Sequence, residues 1–237
     1  MLLLTVILIF TSCSAKIDEI HESPDREKTE DKYVTLDIIK TILPEEKKLE
    51  VERVQMDSDR DNDGIKDMDD ILQGARLDAA NKPRYKSAYY KGGYPPDDEG
   101  VCTDVIWRAL KNAGYNLKEM IDEDIKKNTS NYPRVEGKPD PNIDFRRVQN
   151  LIPFFKKYGL VLTKEVKPWD ADNLKEWQGG DIVVFGKPLE HIAIVSDVRR
   201  KDGVPYIIHN GGPYTREEDR LLAWPSSIIY HFRFPKE

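Results

Sequence analysis

Cysteine is nearly absent from this chain: among its 237 residues only Cys13 and Cys102 carry a thiol. Cys13 follows an apolar leader, so Cys102 stands alone in the body of the protein and has no partner for an internal disulfide. A surplus of positive charge is missing too. Lys and Arg number 37 against 43 Asp and Glu, a formal net charge of −6, which argues against nucleic acid as a partner. Long apolar runs are absent except at the start, and "MLLLTVILIF" is too short to span a bilayer comfortably. With 34% charged and 39% hydrophobic residues and no internal repeat, the chain reads as a soluble protein with one main core.

What is present begins with that leader, which ends in small residues before a cysteine. It resembles a bacterial lipoprotein signal, with Phe10-Thr11-Ser12-Cys13 standing where a lipobox would and Cys13 becoming the acylated first residue. On that resemblance residues 1–13 are a signal peptide and the membrane is held through a lipid on Cys13. A plain signal peptide or an uncleaved anchor are the alternatives, and all three export the protein to the periplasm or cell envelope. Residues 14–35 are charged and almost without large apolar side chains, so they read as a flexible tether. Residues 36–64 form an arm whose short apolar run, Leu36 to Leu43, stops at Pro44, and which ends in the start of an acidic loop. The folded domain is expected over 65–237.

Apolar spacing predicts helices over 69–80, 102–114, 117–127 and 145–158. The period then changes. "DIVVFG", "HIAIVSD", "PYIIHN" and "IIYHFRF" are short, β-branched or aromatic, and bounded by turn residues, as strands are. Helices followed by strands predict an α+β fold with an antiparallel sheet.

The stretch "DRDNDGIKDMDD", residues 59–70, has metal-ligand spacing. Asp59, Asp61, Asp63, Asp67 and Asp70 fall at positions 1, 3, 5, 9 and 12 of an EF-hand-like loop, with Gly64 at the sharp turn and the Ile65 carbonyl at position 7. A structural Ca²⁺ site is one expectation and a solvated acidic turn the other. Without a cation the five carboxylates repel one another.

Cys102 follows a glycine-ended loop at the start of the helix carrying Val105, Ile106, Ala109 and Leu110. Unpaired backbone N–H groups and the helix dipole favour a thiolate there, as a nucleophile needs, whereas a lone cysteine is otherwise a small buried hydrophobe. The four histidines supply the candidate bases. His21 lies in the tether and His231 alternates with aromatics as a structural residue. His191 opens a strand on the face of Ala193 and Val195, and either His209 or Asn210 is placed to orient its ring. Asp144, Arg146 and Arg147 sit at a helix start, where an arginine such as Arg147 would grip a substrate carboxylate or else be an ordinary surface charge. Asp181 and Asp197 flank a strand pair; a turn role is the first expectation for both, and service to the site the second for Asp197.

The order "YYKGGYPPDDEGVCTDV", "GGDIVVF", "HIAIVSD", "PYIIHN" resembles the NlpC-type cysteine peptidases of bacterial cell walls. With "PNIDFRRV", "HNGG" and "AWP" added, roughly residues 65 to 237 resemble the bacterial family DUF1287. The resemblance implies a papain-like α+β fold and an amide hydrolase acting on peptidoglycan stem peptides or a related envelope peptide. It implies Cys102 as nucleophile, His191 as base, His209 as orienting residue with Asn210 as substitute, and Tyr89 as an oxyanion donor beside the Cys102 N–H. No cofactor takes part in that chemistry. Thr103-Asp104 departs from the family's Ser-Gly after the cysteine, and the two histidines stand further apart than usual. An acyltransferase using the same acyl-enzyme and a non-catalytic envelope-binding lipoprotein are the competing expectations.

Overall fold

Apolar spacing that changes from helical to strand period along the chain resolves into helices packed on a six-stranded sheet. The computed structural model describes residues 47–236. The leader with Cys13, the tether over 14–35, His21 and the arm up to residue 46 lie outside the described residues. Among those described, no helix is long and apolar enough to cross a membrane.

Five α-helices occur in this part: α1 (Asp67–Asn81), α2 (Cys102–Asn112), α3 (Leu117–Asn128), α4 (Val148–Tyr158) and the short α5 (Ala171–Lys175). Two-residue strands β1 (Arg84–Tyr85) and β2 (Glu99–Gly100) pair in parallel just ahead of α2. The main sheet has six antiparallel strands: β3 (Leu160–Val161), β4 (Ile182–Phe185), β5 (His191–Arg199), β6 (Pro205–His209), β7 (Arg216–Glu218) and β8 (Ile228–Arg233). Their spatial order is β3-β8-β4-β5-β6-β7. The fold is thus mixed α+β with an antiparallel sheet.

The unbroken apolar runs of β4 and β5 follow from burial on both faces. Ile182, Val184, Ile192, Ile194 and Ile208 pack with Val105, Ile106 and Leu110 of α2 and with Leu151 and Phe155 of α4. Val183, Phe185, Ala193, Val195 and Ile207 face a second cluster with Leu174, Trp177 and Leu221. Each fully buried aliphatic side chain contributes about 1.5–3 kcal/mol. Neither face leaves room for polar alternation over Ile182–Phe185 and Ile192–Val195.

The helix pair α1 and α2 packs with little between the backbones. A Cβ at Gly74 would fall 2.6 Å from the Asn112 Cβ and 2.9 Å from the Ala109 backbone, so only glycine permits this approach. Residues 145–147 depart from the expected helix. Asp144–Arg146 form a 3₁₀ turn and Arg147 is extended, and α4 starts only at Val148. That break accompanies the turning of Arg146 into the protein, where it meets Asp104.

Candidate active site

Cys102 is the first residue of α2, after an extended Val101. Asp104, three residues beyond Val101, accepts the Val101 N–H at 2.7 Å and so closes the helix start. The same carboxylate accepts the Trp107 indole N–H at 2.8 Å and a bidentate pair from Arg146, both bonds at 2.7 Å, with Arg146 and Asp104 buried. Thr103 donates to the Arg146 carbonyl at 3.0 Å. The Thr-Asp pair after the cysteine therefore fastens the thiol-bearing turn to the 3₁₀ segment.

Burial pushes the Cys102 thiol up to about 11, and the Asp104 charge adds to this. The N–H groups of Ile192, Thr103 and Cys102 itself favour the thiolate but are outweighed. The N–H groups at the helix start, expected to favour a thiolate, thus work against the burial of the sulfur. Ile192 immediately follows His191, so the sulfur sits against the main chain at the start of β5.

The register of three strands lines up the next groups. Ile194 pairs with Ile208, and Ile207 with Glu218. His191, His209 and Glu218 therefore share one face and lie a diagonal step apart across β5, β6 and β7. His191 Nε2 is 2.7 Å from His209 Nδ1, and His209 Nε2 is 2.9 Å from Glu218 Oε1. Burial lowers the basicity of both rings, His191 to about 3 with His209 adding to the effect, so both are neutral near pH 7. The proton positions then follow in sequence. The Glu218 carboxylate only accepts, so His209 donates from Nε2 and accepts at Nδ1. His191 must donate from Nε2, which leaves its Nδ1 an unprotonated acceptor. Among the described residues the His191 ring is hydrogen-bonded through Nε2 alone.

Trp224, from "AWP", stacks on the His191 ring at 4.0 Å between centroids and 15° between planes. It stands edge-on to His209 and donates its indole N–H to the Leu189 carbonyl at 3.1 Å. Glu218 is further held by Arg216, whose Nε is 3.0 Å from Oε2.

Other candidates are placed elsewhere. Asn210 is not on the His191 ring: its amide donates to the carbonyls of Pro83 and Gly100 at 3.0 and 3.3 Å, tying β6 to the segment before Cys102. The exposed Tyr89 bonds Asp140 at 3.1 Å and accepts from Asn142 at 2.9 Å, pinning the loop around residues 140–142. Tyr85 on β1 pairs with Gly100, two residues before Cys102, and its ring is half exposed. Arg147 binds Asp144 at 3.0 Å and the Arg134 carbonyl at 3.1 Å, so its guanidinium serves its own loop. In the acidic loop Asp59, Asp61 and Asp63 converge, while Asp67 is engaged by the Arg60 N–H at 2.8 Å and the Tyr115 hydroxyl at 2.5 Å.

Glu218, Trp224 and Tyr85 were not among the residues singled out from sequence. Glu218 sits in "TREEDR", which reads as a charged loop until the β6–β7 register is known. Trp224 had a signal in the "AWP" motif, though none that tied it to a histidine.

A family model described as "Domain of unknown function (DUF1287)" matches residues 72–234. The chain is also similar to "Uncharacterized protein YijF" of Escherichia coli (strain K12), 37% identical over 172 residues that cover 69% of this chain and 80% of that protein. No solved structure matches it significantly. Cys102, His191, His209, Glu218 and Trp224 all lie within the span matched by the family model.

Proposed function

The chain belongs to the DUF1287 family, and from that premise we propose that it is an exported cysteine hydrolase with a papain-like, NlpC-type fold. Its substrate is an amide bond in peptidoglycan stem peptides or a related envelope peptide, and a lipid on Cys13 holds it to the membrane. The observation that supports this reading most is the ordered run Glu218, His209, His191, which leaves an unprotonated Nδ1 on a strand whose main chain touches the only thiol of the domain.

In this reading the resting pair is neutral, thiol and imidazole, and no ion pair precedes the substrate. His191 Nδ1 takes the Sγ–H proton as sulfur attacks the carbonyl carbon. The resulting oxyanion is met by the N–H groups at the start of α2, with Tyr85 the tyrosine at hand. Collapse of the tetrahedral species expels the amine, which leaves with the proton held on His191, and Cys102 is left as a thioester. Water attacks the thioester, giving its proton to His191, and departure of sulfur restores the thiol and frees the carboxylic acid. His209 and Glu218 keep the His191 ring in the useful tautomer through the whole cycle. Trp224 covers the ring and limits its contact with water.

One observation favours a second reading. A thiol raised to about 11 and a histidine lowered to about 3 are what an envelope-binding module without turnover would also show. Acyl transfer is a third fate, in which an amine rather than water resolves the thioester. Incubation of the full-length protein with purified peptidoglycan and its muropeptides, beside Cys102→Ala, separates them by mass spectrometry. A Cys102-dependent hydrolytic fragment supports the hydrolase and identifies its bond; an amine adduct supports transfer. If both proteins leave every substrate intact, the cell-wall assignment fails and the binding module takes its place.

A further inference from the structure

The loop from Asp59 to Asp70 is separate from the thiol chemistry, and its carboxylates are arranged at an electrostatic cost. Asp59, Asp61 and Asp63 each offer an oxygen, and these atoms lie within 4.8 Å of one another. Gly64 takes φ +93°, which lets the chain reverse between Asp63 and Ile65. The Gly64 N–H donates to Asp59 Oδ2 at 3.1 Å and the Ile65 N–H to Asp63 Oδ1 at 2.8 Å, which fixes the turn.

The second observation concerns Asp70. It lies in the first turn of α1, only 3% exposed, and its Oδ2 has no hydrogen-bond partner. Burial and the charges of Asp63, Asp61, Asp67 and Asp59 together raise its pKa to about 6, so its carboxyl lies near the cluster, though outside the three whose oxygens stand within 4.8 Å of one another. Asp59 Oδ1 is likewise buried without a partner. A buried carboxylate oxygen with no donor costs free energy unless something absent from the protein's own atoms compensates it. The cations nearby in sequence are used elsewhere: Arg53 pairs with Asp69, Lys66 binds the Asp57 carbonyl, and Arg60 lies over the Tyr115 ring.

We propose that Asp59, Asp61, Asp63 and Asp70, with the Ile65 carbonyl, form a Ca²⁺ site that fastens the start of α1. Asp67 is not a direct ligand, because both of its oxygens already hold protein donors. All donors are hard oxygens, which selects Ca²⁺ or Mg²⁺ over softer metals. A 12-residue loop reversed by a glycine suits the flexible oxygen shell of Ca²⁺ better than the near-ideal octahedron that Mg²⁺ demands. Asp70 also connects the loop to the helix pair: its carbonyl accepts the Asn112 amide at 2.9 Å, and Asn112 ends α2. The ion therefore braces α1 against the helix that carries Cys102, without entering the reaction.

The test uses the full-length chain, freed of metal by a chelator, with CaCl2 or MgCl2 added in calorimetric titrations and thermal melts. The expected result is one Ca²⁺ per chain and a melting temperature raised by about 5–10 °C at a hundredfold excess over Kd, with a weaker Mg²⁺ response. Asp61→Asn, at an exposed position, should weaken binding at least tenfold. Asp70→Asn should abolish the Ca²⁺ response while raising the metal-free melting temperature, because it removes a repelled, unpartnered charge. Asp69→Asn, outside the cluster, should leave the Ca²⁺ response intact. The proposal is overturned if no heat and no stabilisation appear up to about 10 mM Ca²⁺, beyond the weak end of such loops. It is equally overturned if the Asp61 and Asp70 variants bind like the wild type, or if Asp70→Asn lowers the metal-free melting temperature.

Discussion

Two histidines on one face of the sheet are each stacked on a tryptophan, yet they are built for different ends. The His231 ring centroid lies 3.7 Å from that of Trp177 with the planes nearly parallel, and both of its nitrogens face acceptors, the Thr163 carbonyl at 2.9 Å and Asp181 at 3.0 Å. Asp181 is in turn gripped by Arg233 through bonds of 2.7 and 2.9 Å, all in the interior. His191 stacks on Trp224 in much the same way, but among the described residues only its Nε2 is engaged, and by another histidine. A ring saturated on both sides holds a fold together. A ring with one committed nitrogen and one open one can carry a proton, and the carboxylate that sets its tautomer stands one histidine away rather than in contact.

The sharpest break between the two sites is in turnover. His191→Gln should lower kcat/KM by about 10²–10⁴-fold, the usual contribution of a general base, and Glu218→Gln by about 10²-fold through misplacement of the ring. Activity assays on the muropeptide product of the wild type measure both, and a Glu218 variant with unchanged kinetics would remove it from the relay. Stability should respond in the opposite order. Asp181→Ala strands a buried guanidinium and should cost about 3–5 kcal/mol in urea unfolding, whereas Glu218→Gln, at the sheet edge, should cost about 1 kcal/mol or less.

Dependence on pH sharpens the same contrast. The His191 ring is held near 3 when folded, against 6.5 in a free chain. As pH falls below about 6.5 the unfolded chain takes up the proton first, so stability is lost between about 6.5 and 3 and is fully present above. Cys102 works on the other side: raised to about 11 from 9.0, it stabilises the folded state below pH 9 and loses that contribution as pH rises from 9 to 11. Unfolding curves of His191→Gln and Cys102→Ala, each subtracted from wild type, should isolate the acid and the alkaline limb. Alkylation of Cys102 by iodoacetamide should climb towards pH 11, and a plateau already reached at pH 6 would mean a resting thiolate. The smallest effect is expected from Trp224→Ala, which exposes the ring, moves the His191 pKa from about 3 towards 6.5 and changes turnover by only about 3- to 10-fold.

The residues that pack were easy to read in the sequence, and those that connect strands were not. The runs in "DIVVFG" and "HIAIVSD" became β4 and β5 because continuous β-branched residues suit a sheet buried on both sides. Helix α2 began at Cys102 as its apolar spacing required. His191 and His209 were visible because only four histidines exist. Glu218 was hidden, since a single charged residue in "TREEDR" gains its meaning from a diagonal across two strand registers. Tyr89 was named for its spacing from Gly92-Gly93; Tyr85 was not named, because the two-residue parallel pairing of β1 with β2 that sets it beside Gly100 is too short to leave a pattern. Arg146 and Arg147 looked alike until the 3₁₀ turn sent one inward to Asp104 and kept the other at the surface.

The orientation of a single proton decides the account. Nitrogen-15 and proton NMR of the histidine rings in the free protein at pH 7, assigned with His191→Gln and His209→Gln, reads each tautomer directly. The prediction is a neutral His191 protonated on Nε2, with Nδ1 bare, and a neutral His209 also protonated on Nε2. A His191 protonated on Nδ1, or an imidazolium at that position, would contradict the relay from Glu218 and with it the assignment of His191 as the base for Cys102.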